Sequence, residues 1–152
     1  MEDVLVKRQD TKLESEGAEF LVLGHLLIEG ISAYKAYVNF PGYDLVAVNP
    51  STRKSANIQV KSRWATDYDN SFPLKSLDCD FVVHVALNRG YRFNKNKGIE
   101  GEGIKIPAFY IFPIDVLKSV RREKGWNKVN FKKLMNYEQY QDNWSLIKSF
   151  LQ

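Results

Sequence analysis

The chain has 152 residues, 44% hydrophobic and 26% charged, with a formal net charge of +4. This is the make-up of one soluble globular α/β-sized domain with a real core, without repeat, linker or low-complexity tract. No run of 18 apolar residues offers a membrane span, and one cysteine beside two histidines excludes an intrachain disulfide and a structural zinc site.

Charge is uneven along the chain. Residues 1–88 hold 9 Lys/Arg and 12 Asp/Glu, a net of −3, whereas residues 89–152 hold 13 and 6, a net of +7. A cationic half beside an acidic half suits a polyanion steered by one part and processed by the other. A chance asymmetry of solvated charges fits as well. The acidic start Met1-Glu2-Asp3 lacks a secretion signal, and lone Cys79 fits a reducing compartment, so a cytoplasmic location is expected.

In chain order, Thr11 to about Gly30 reads as a helix, with Thr11 and Glu14 as a capping box and Gly30 as its stop. At 100° per residue, Phe20, Leu23, Leu26 and Leu27 form one core-facing arc, and Glu16 and Glu19 fall inside it. A carboxylate there is costly unless paired, protonated or bound to a metal. Three strands are predicted next: Ala33 to Phe40, Asp44 to Val48, and Ala56 to Arg63. The turn between the last two centres near Ser51 to Arg53, so paired residue numbers sum to about 104. Asp44 then lies opposite the Gln59–Lys61 stretch.

Residues 65–79 are polar and irregular. Phe81 to Leu87 is an almost continuous apolar run suited to a sheet centre covered on both faces. A glycine-rich charged loop follows at 88–105. Ala108 to Phe112 is another apolar strand, stopped by Pro113. Helices are expected from Ile114 to Val120 and from Trp144 to Leu151. His25 reads as a surface histidine and His84 as a core one.

The strand Ile58-Gln59-Val60-Lys61-Ser62 is the main functional candidate. Its polar members, Gln59 and Lys61, share one face, about 6.6 Å apart. With Asp44 from the neighbouring strand and Glu19 from the first helix, they suit metal-assisted phosphodiester hydrolysis. That chemistry needs hard oxygen ligands, here from Asp44, Glu19, the Gln59 amide and the Val60 carbonyl. It also needs a cation near the attacking water and the charged phosphorane, which Lys61 supplies. On spacing alone, ordinary polar residues on a surface hairpin with one buried glutamate account for the pattern slightly better.

The order of helix glutamate, strand aspartate and then Gln-x-Lys resembles the PD-(D/E)XK nuclease superfamily. The similarity runs over about residues 11–118. It includes Gly17-Ala18-Glu19 leading to Gly30, the Ile-Gln-Val-Lys-Ser string, Asp80-Phe81-Val82-Val83, and Phe109-Tyr110-Ile111-Phe112-Pro113. It implies an α/β, restriction-endonuclease-like core: a central mixed sheet of four to five strands flanked by helices. It further implies a DNA endonuclease dependent on magnesium, with manganese as substitute, that leaves a 5′-phosphate and works as a homodimer or higher homo-oligomer. Asp44 would be the motif aspartate, Lys61 the motif lysine and Glu19 the helix acid. Two departures stand out: Gly42-Tyr43 precedes Asp44 where the pattern has proline, and Gln59 replaces the second acid. The lost charge weakens magnesium binding or leaves Glu19 to compensate. A binding module of the same fold without catalysis, or an interaction protein that does not touch nucleic acid, are the alternatives.

Basic residues form two further groups. Arg53 and Lys54 in the hairpin turn, Arg63, Lys75, and Arg89 and Arg92 in the 88–105 loop are candidate DNA-backbone contacts. From Arg121 to Trp144, cations alternate with Trp126, Phe131, Tyr137, Tyr140 and Trp144. Aromatics in a basic channel stack on unpaired bases, but Phe131, Leu134 and Met135 have core spacing, so a core with a basic rim is the favoured reading.

Overall fold

The computed structural model describes residues 10–36, 42–92 and 102–152. Helix α1 spans Thr11–Ile28 and is followed by β1 (Ser32–Lys35), β2 (Leu45–Asn49) and β3 (Lys54–Arg63). A two-residue strand β4 (Phe72–Pro73) precedes β5 (Phe81–Ala86) and β6 (Ala108–Pro113). Then come α2 (Ile114–Lys118), the short strands β7 (Arg121–Arg122) and β8 (Lys128–Val129), and α3 (Ser145–Phe150). The central mixed sheet runs β1-β2-β3-β5-β6, with β3 and β5 parallel and the other neighbours antiparallel.

Each face of this sheet buries its own apolar set, because side chains alternate across a strand. On one face Ile58, Val83 and Ile111 meet Ala18, Val22 and Leu26 of α1 and Ile147 near the C-terminus. On the other, Val82 and Phe112 meet Phe72, Leu117, Val129 and Phe131. The apolar run in β5 is buried at every residue, as a strand covered on both faces must be.

The buried stripe of α1 is rotated from the expected arc. Ala18, Val22 and Leu26 are buried, Leu23 is half-buried, and Phe20 and Leu27 are exposed. The true stripe follows i, i+4, i+8 through a small residue, Ala18, that a hydrophobicity arc underweights. The cap also differs: Asp10, not Thr11, accepts from Lys12 N–H at 2.7 Å. Strand β1 covers Ser32–Lys35; of the longer strand expected from Ala33 to Phe40, Ala36 is not in the strand and residues 37–40 lie outside the described residues.

A second sheet, β4-β8-β7, has no counterpart among the strands expected from sequence. Its two-residue strands are too short to show a period. It closes the second core with Phe131, so the aromatic stretch divides: Phe131 is buried there with Tyr137 and Tyr140 half-buried against it, Trp144 is buried in the first core, and Trp126 and Met135 are exposed. Phe131–Lys133 forms a 3-10 turn and no long helix, so the core spacing expected at Met135 does not arise.

Candidate active site

The β2–β3 hairpin pairs Leu45 with Ile58 and Asn49 with Lys54, so paired numbers sum to 103. Asp44 precedes β2 and faces the start of the Gln59–Lys61 stretch. The ladder changes there. Asp44 N–H donates to the Ile58 carbonyl at 2.8 Å, and the Asp44 carbonyl accepts from Ala36 N–H at 2.9 Å. The next donor along β3, Val60 N–H, goes to the Asp44 carboxylate at 2.8 Å. Asp44 is thus pinned between β1 and β3. N–H and C=O of one strand residue point to the same side, so the Val60 carbonyl also faces this strand end.

Gln59 and Lys61 project from the second face, beside Val82 and His84 of β5. Glu19 comes from the α1 side and meets Asp44 where the ladder ends. Its carboxyl lies within hydrogen-bonding reach of the Asp44 carboxyl, and its pKa is pushed up to about 7, by burial first and by the Asp44 charge second. Burial also lowers the Lys61 pKa, opposed by the Asp44 carboxylate and reinforced by Arg63 and Lys75. Asp44 therefore stands between an acid and an ammonium, both desolvated.

Sequence reasoning missed Lys35. It is buried in β1, forms an ion pair with Glu16 and lies 3.3 Å from a Glu19 oxygen. Burial works against its charge, but the bonds to Glu16 and Glu19 outweigh it and raise its pKa. The same bond to Lys35 lowers the pKa of Glu16. The signal lay in Glu16 and Glu19, two acids predicted to need partners, beside a lysine in the next strand.

The chain folds like a bacterial homing endonuclease. The structure of that enzyme, I-Ssp6803I, superposes with a TM-score of 0.57 over 92% of this chain and 93% of its own, at 23% sequence identity. No protein-family profile matches the sequence. No curated protein matches it either.

The donor set suits a hard divalent cation. Gln59 Oε1 is buried with no hydrogen-bond partner among the described residues, and two carboxyl groups share one pocket of charge at Asp44 and Glu19. A divalent cation is a partner that such a carboxamide oxygen can take, and one beside Asp44 and Glu19 would relieve their mutual repulsion. Two carboxylates are what the site offers: among the described residues no three His, Cys, Asp or Glu side chains gather to hold a metal.

The candidate DNA contacts do not form one group. Arg53 and Lys54 lie at the opposite end of the hairpin, roughly 23 Å along β3 from Lys61 at about 3.3 Å per residue. Lys54 donates to the Gln152 carbonyl there. Arg63 is closer, and its Nε donates to the Ser71 carbonyl at 2.8 Å. Lys75 is near enough to Lys61 to disfavour its charge. Arg89 and Arg92 are exposed beyond the C-terminal ends of β3 and β5, their backbones bonded to Trp64 and Asp67. Within the 88–105 loop, residues 93–101 lie outside the described residues.

His84 is fully buried between Phe72 and Phe131, at ring distances of 5.3 and 5.1 Å. Burial pushes its pKa down to about 3, which removes it as a base at neutral pH. Cys79 is buried and its thiol is pushed up to about 11, so it is no nucleophile. No helix among the described residues is long and apolar enough to cross a membrane.

Proposed function

We propose that this protein is a metal-dependent DNA endonuclease that hydrolyses phosphodiester bonds with magnesium, or with manganese in its place. One observation carries the reading: the Asp44 carboxylate is fixed by Val60 N–H at 2.8 Å, against the Glu19 carboxyl and within electrostatic reach of Lys61. The likeness in fold to a homing endonuclease supports the same class of chemistry.

In this reading Asp44, Glu19, the Gln59 carboxamide oxygen and the Val60 carbonyl hold the cation. Bound there, the cation supplies Lewis acidity and lowers the pKa of a water. Lys61 offers its ammonium to a non-bridging phosphate oxygen and offsets the charge that grows there. Burial lowers its pKa, which eases release of its proton and suits it to take one from the attacking water. The water oxygen bonds to phosphorus as its proton is taken up, the bond to the 3′ oxygen breaks, and that oxygen takes a proton from solvent, so the products are a 5′-phosphate and a 3′-hydroxyl. Two strands of a duplex need two such sites, so the proposal includes a homodimer or higher homo-oligomer.

The test is nicking of supercoiled plasmid in magnesium, manganese or EDTA by the wild type and by Asp44→Ala and Lys61→Ala. Metal-dependent nicking abolished in both variants is expected. A second reading is favoured by the neutral Gln59 and by Lys35, which already neutralises Glu19: the fold binds DNA without cutting it. Binding without nicking in any metal, weakening steeply with salt, would establish that reading instead. Neither binding nor nicking would leave an interaction protein with no role for nucleic acid.

A further inference from the structure

Trp126 is the most exposed large hydrophobic residue among those described, at 90%, and nothing in the proposed chemistry uses it. It stands in the turn between β7 and β8. Trp126 and Asn127 both have left-handed backbone, with φ of 61° and 56°. That conformation is unfavourable for a bulky side chain and persists only where the surroundings impose it. Here they do. Leu74 N–H donates to the Asn127 carbonyl at 2.9 Å, and Arg121 Nε donates to the Leu74 carbonyl at 2.8 Å. The Arg121 guanidinium also reaches the Lys75 carbonyl at 3.3 Å. The tip is therefore fastened to segment 74–75 while its indole faces solvent.

The surroundings are cationic. From Lys118 to Lys133 the chain carries seven Lys/Arg and one acid, Glu123. A solvated surface that stabilises itself interleaves both signs, whereas an unbalanced patch attracts polyanions. Lys118, Arg121, Arg122 and Lys124 line an open groove with Leu77 and Glu123; Glu123 pairs with Arg121 at 3.8 Å and Asp115 with Lys118 at 3.1 Å, and Arg122 and Lys124 are exposed beside them. The groove is tied to segment 74–77: Arg121 donates to the Leu74 and Lys75 carbonyls, and Leu77 lines it.

We propose that the β7–β8 hairpin is a DNA-contact surface. The groove takes the sugar-phosphate backbone of the duplex as it leaves Lys61, and Trp126 stacks on a base where that duplex is distorted. The proposal rests on the DNA-nuclease reading and adds to it a surface away from the chemistry.

The experiment is binding of a fluorescein-labelled duplex in EDTA, by anisotropy across a salt series. The proteins are the wild type, the double variant Arg122→Ala/Lys124→Ala, Trp126→Ala, Trp126→Phe, and Lys148→Ala as a control in α3, over the opposite face of the sheet. The double variant is expected to bind roughly tenfold more weakly, with a log–log salt slope smaller by about two, since each phosphate no longer neutralised removes about 0.9. Trp126→Ala is expected to weaken binding about five- to a hundredfold with an unchanged slope, and Trp126→Phe to recover most of it, as stacking requires. Quenching of tryptophan emission by DNA should disappear in Trp126→Phe. Wild-type affinity and slope in the hairpin variants would overturn this inference alone, with the nuclease reading intact if plasmid nicking persists. Absence of DNA binding by the wild type would overturn both. Tighter binding to single strands than to the duplex would overturn the duplex assignment. All the substituted side chains are exposed, and melting temperatures within a few degrees of wild type verify that the variants fold.

Discussion

Lys35 Nζ lies 3.3 Å from a Glu19 oxygen whose carboxyl also meets Asp44, so a buried lysine already occupies part of the charge field that a metal would enter. In the proposed function, Lys35 and a divalent cation would compete for the same acid. Lys35→Met keeps most of the buried stem and removes the ammonium. The metal-free protein should be destabilised, because Glu19 loses its buried counter-charge beside Asp44. Affinity for calcium or manganese should rise several-fold. Thermal melting with and without metal, and calorimetric titration, test the two halves. A variant with unchanged metal affinity would remove Lys35 from the site.

Glu19 gives stability a pH dependence of unusual sign for a carboxylate. Its pKa is raised from the ordinary value to about 7, mainly by burial and then by Asp44. Between about pH 4.5 and 7 the folded state keeps a proton that the unfolded state has released. Stability therefore falls as pH rises through this window. The loss is on the order of 2 kcal/mol, less than the full shift implies because solvent still screens part of the carboxyl. Glu19→Gln should flatten the difference, and a saturating divalent cation should restore wild-type stability at pH 8. Denaturant midpoints at pH 5 and pH 8 for both proteins make the comparison. Equal slopes for wild type and Glu19→Gln would contradict the assignment.

Asp44 has a structural duty, and in the proposed function a chemical one, that one pair of substitutions separates. Asp44→Asn keeps an oxygen for Val60 N–H and should cost less than about 1 kcal/mol. It removes the anion from the site, so metal-dependent nicking should fall by at least a hundredfold. Asp44→Ala loses the acceptor as well and should destabilise by about 1–3 kcal/mol. Urea unfolding and plasmid nicking on the same samples distinguish the two effects. Nicking that survives in Asp44→Asn would exclude Asp44 as the metal anchor.

Sequence carried the central sheet well, and the reasons are local. The Val-rich run of β5 cannot be solvated on either face, and the alternation in Ile58 to Ser62 fixes a strand before any contact is known. Hairpin geometry alone placed Asp44 within one residue of its true register, 103 against about 104. What sequence withheld depends on packing at a distance. Whether Glu19 reaches Asp44 is decided by how α1 is rotated over the sheet, and that rotation turned on Ala18 and left Phe20 in solvent. Lys35 sits in a four-residue strand, too short for a burial pattern to mark it as an interior lysine. Arg53 and Lys54 are near Gln59 in number but lie at the other end of the strand, because sequence separation along an extended chain is distance.

His84 provides the opposite pH test. It is the register partner of Lys61, fully buried, and its pKa is depressed to about 3, by burial first and by Arg63 and Lys132 after it. The folded state holds it neutral while the unfolded state takes up a proton below about pH 6.5. Its contribution is complete above that pH and is lost as pH falls towards 3, by on the order of 2–3 kcal/mol at pH 4.5. His84→Phe keeps a ring between Phe72 and Phe131 and gives up the 3.4 Å contact with Asn70. It should therefore be more resistant to acid than the wild type and no more stable at pH 8. Chemical denaturation between pH 4 and pH 8 measures this. The Glu19 effect runs the other way across an overlapping window, so the double variant Glu19→Gln/His84→Phe should show the flattest profile of the four proteins. A wild-type acid limb that survives unchanged in His84→Phe would place the proton uptake elsewhere.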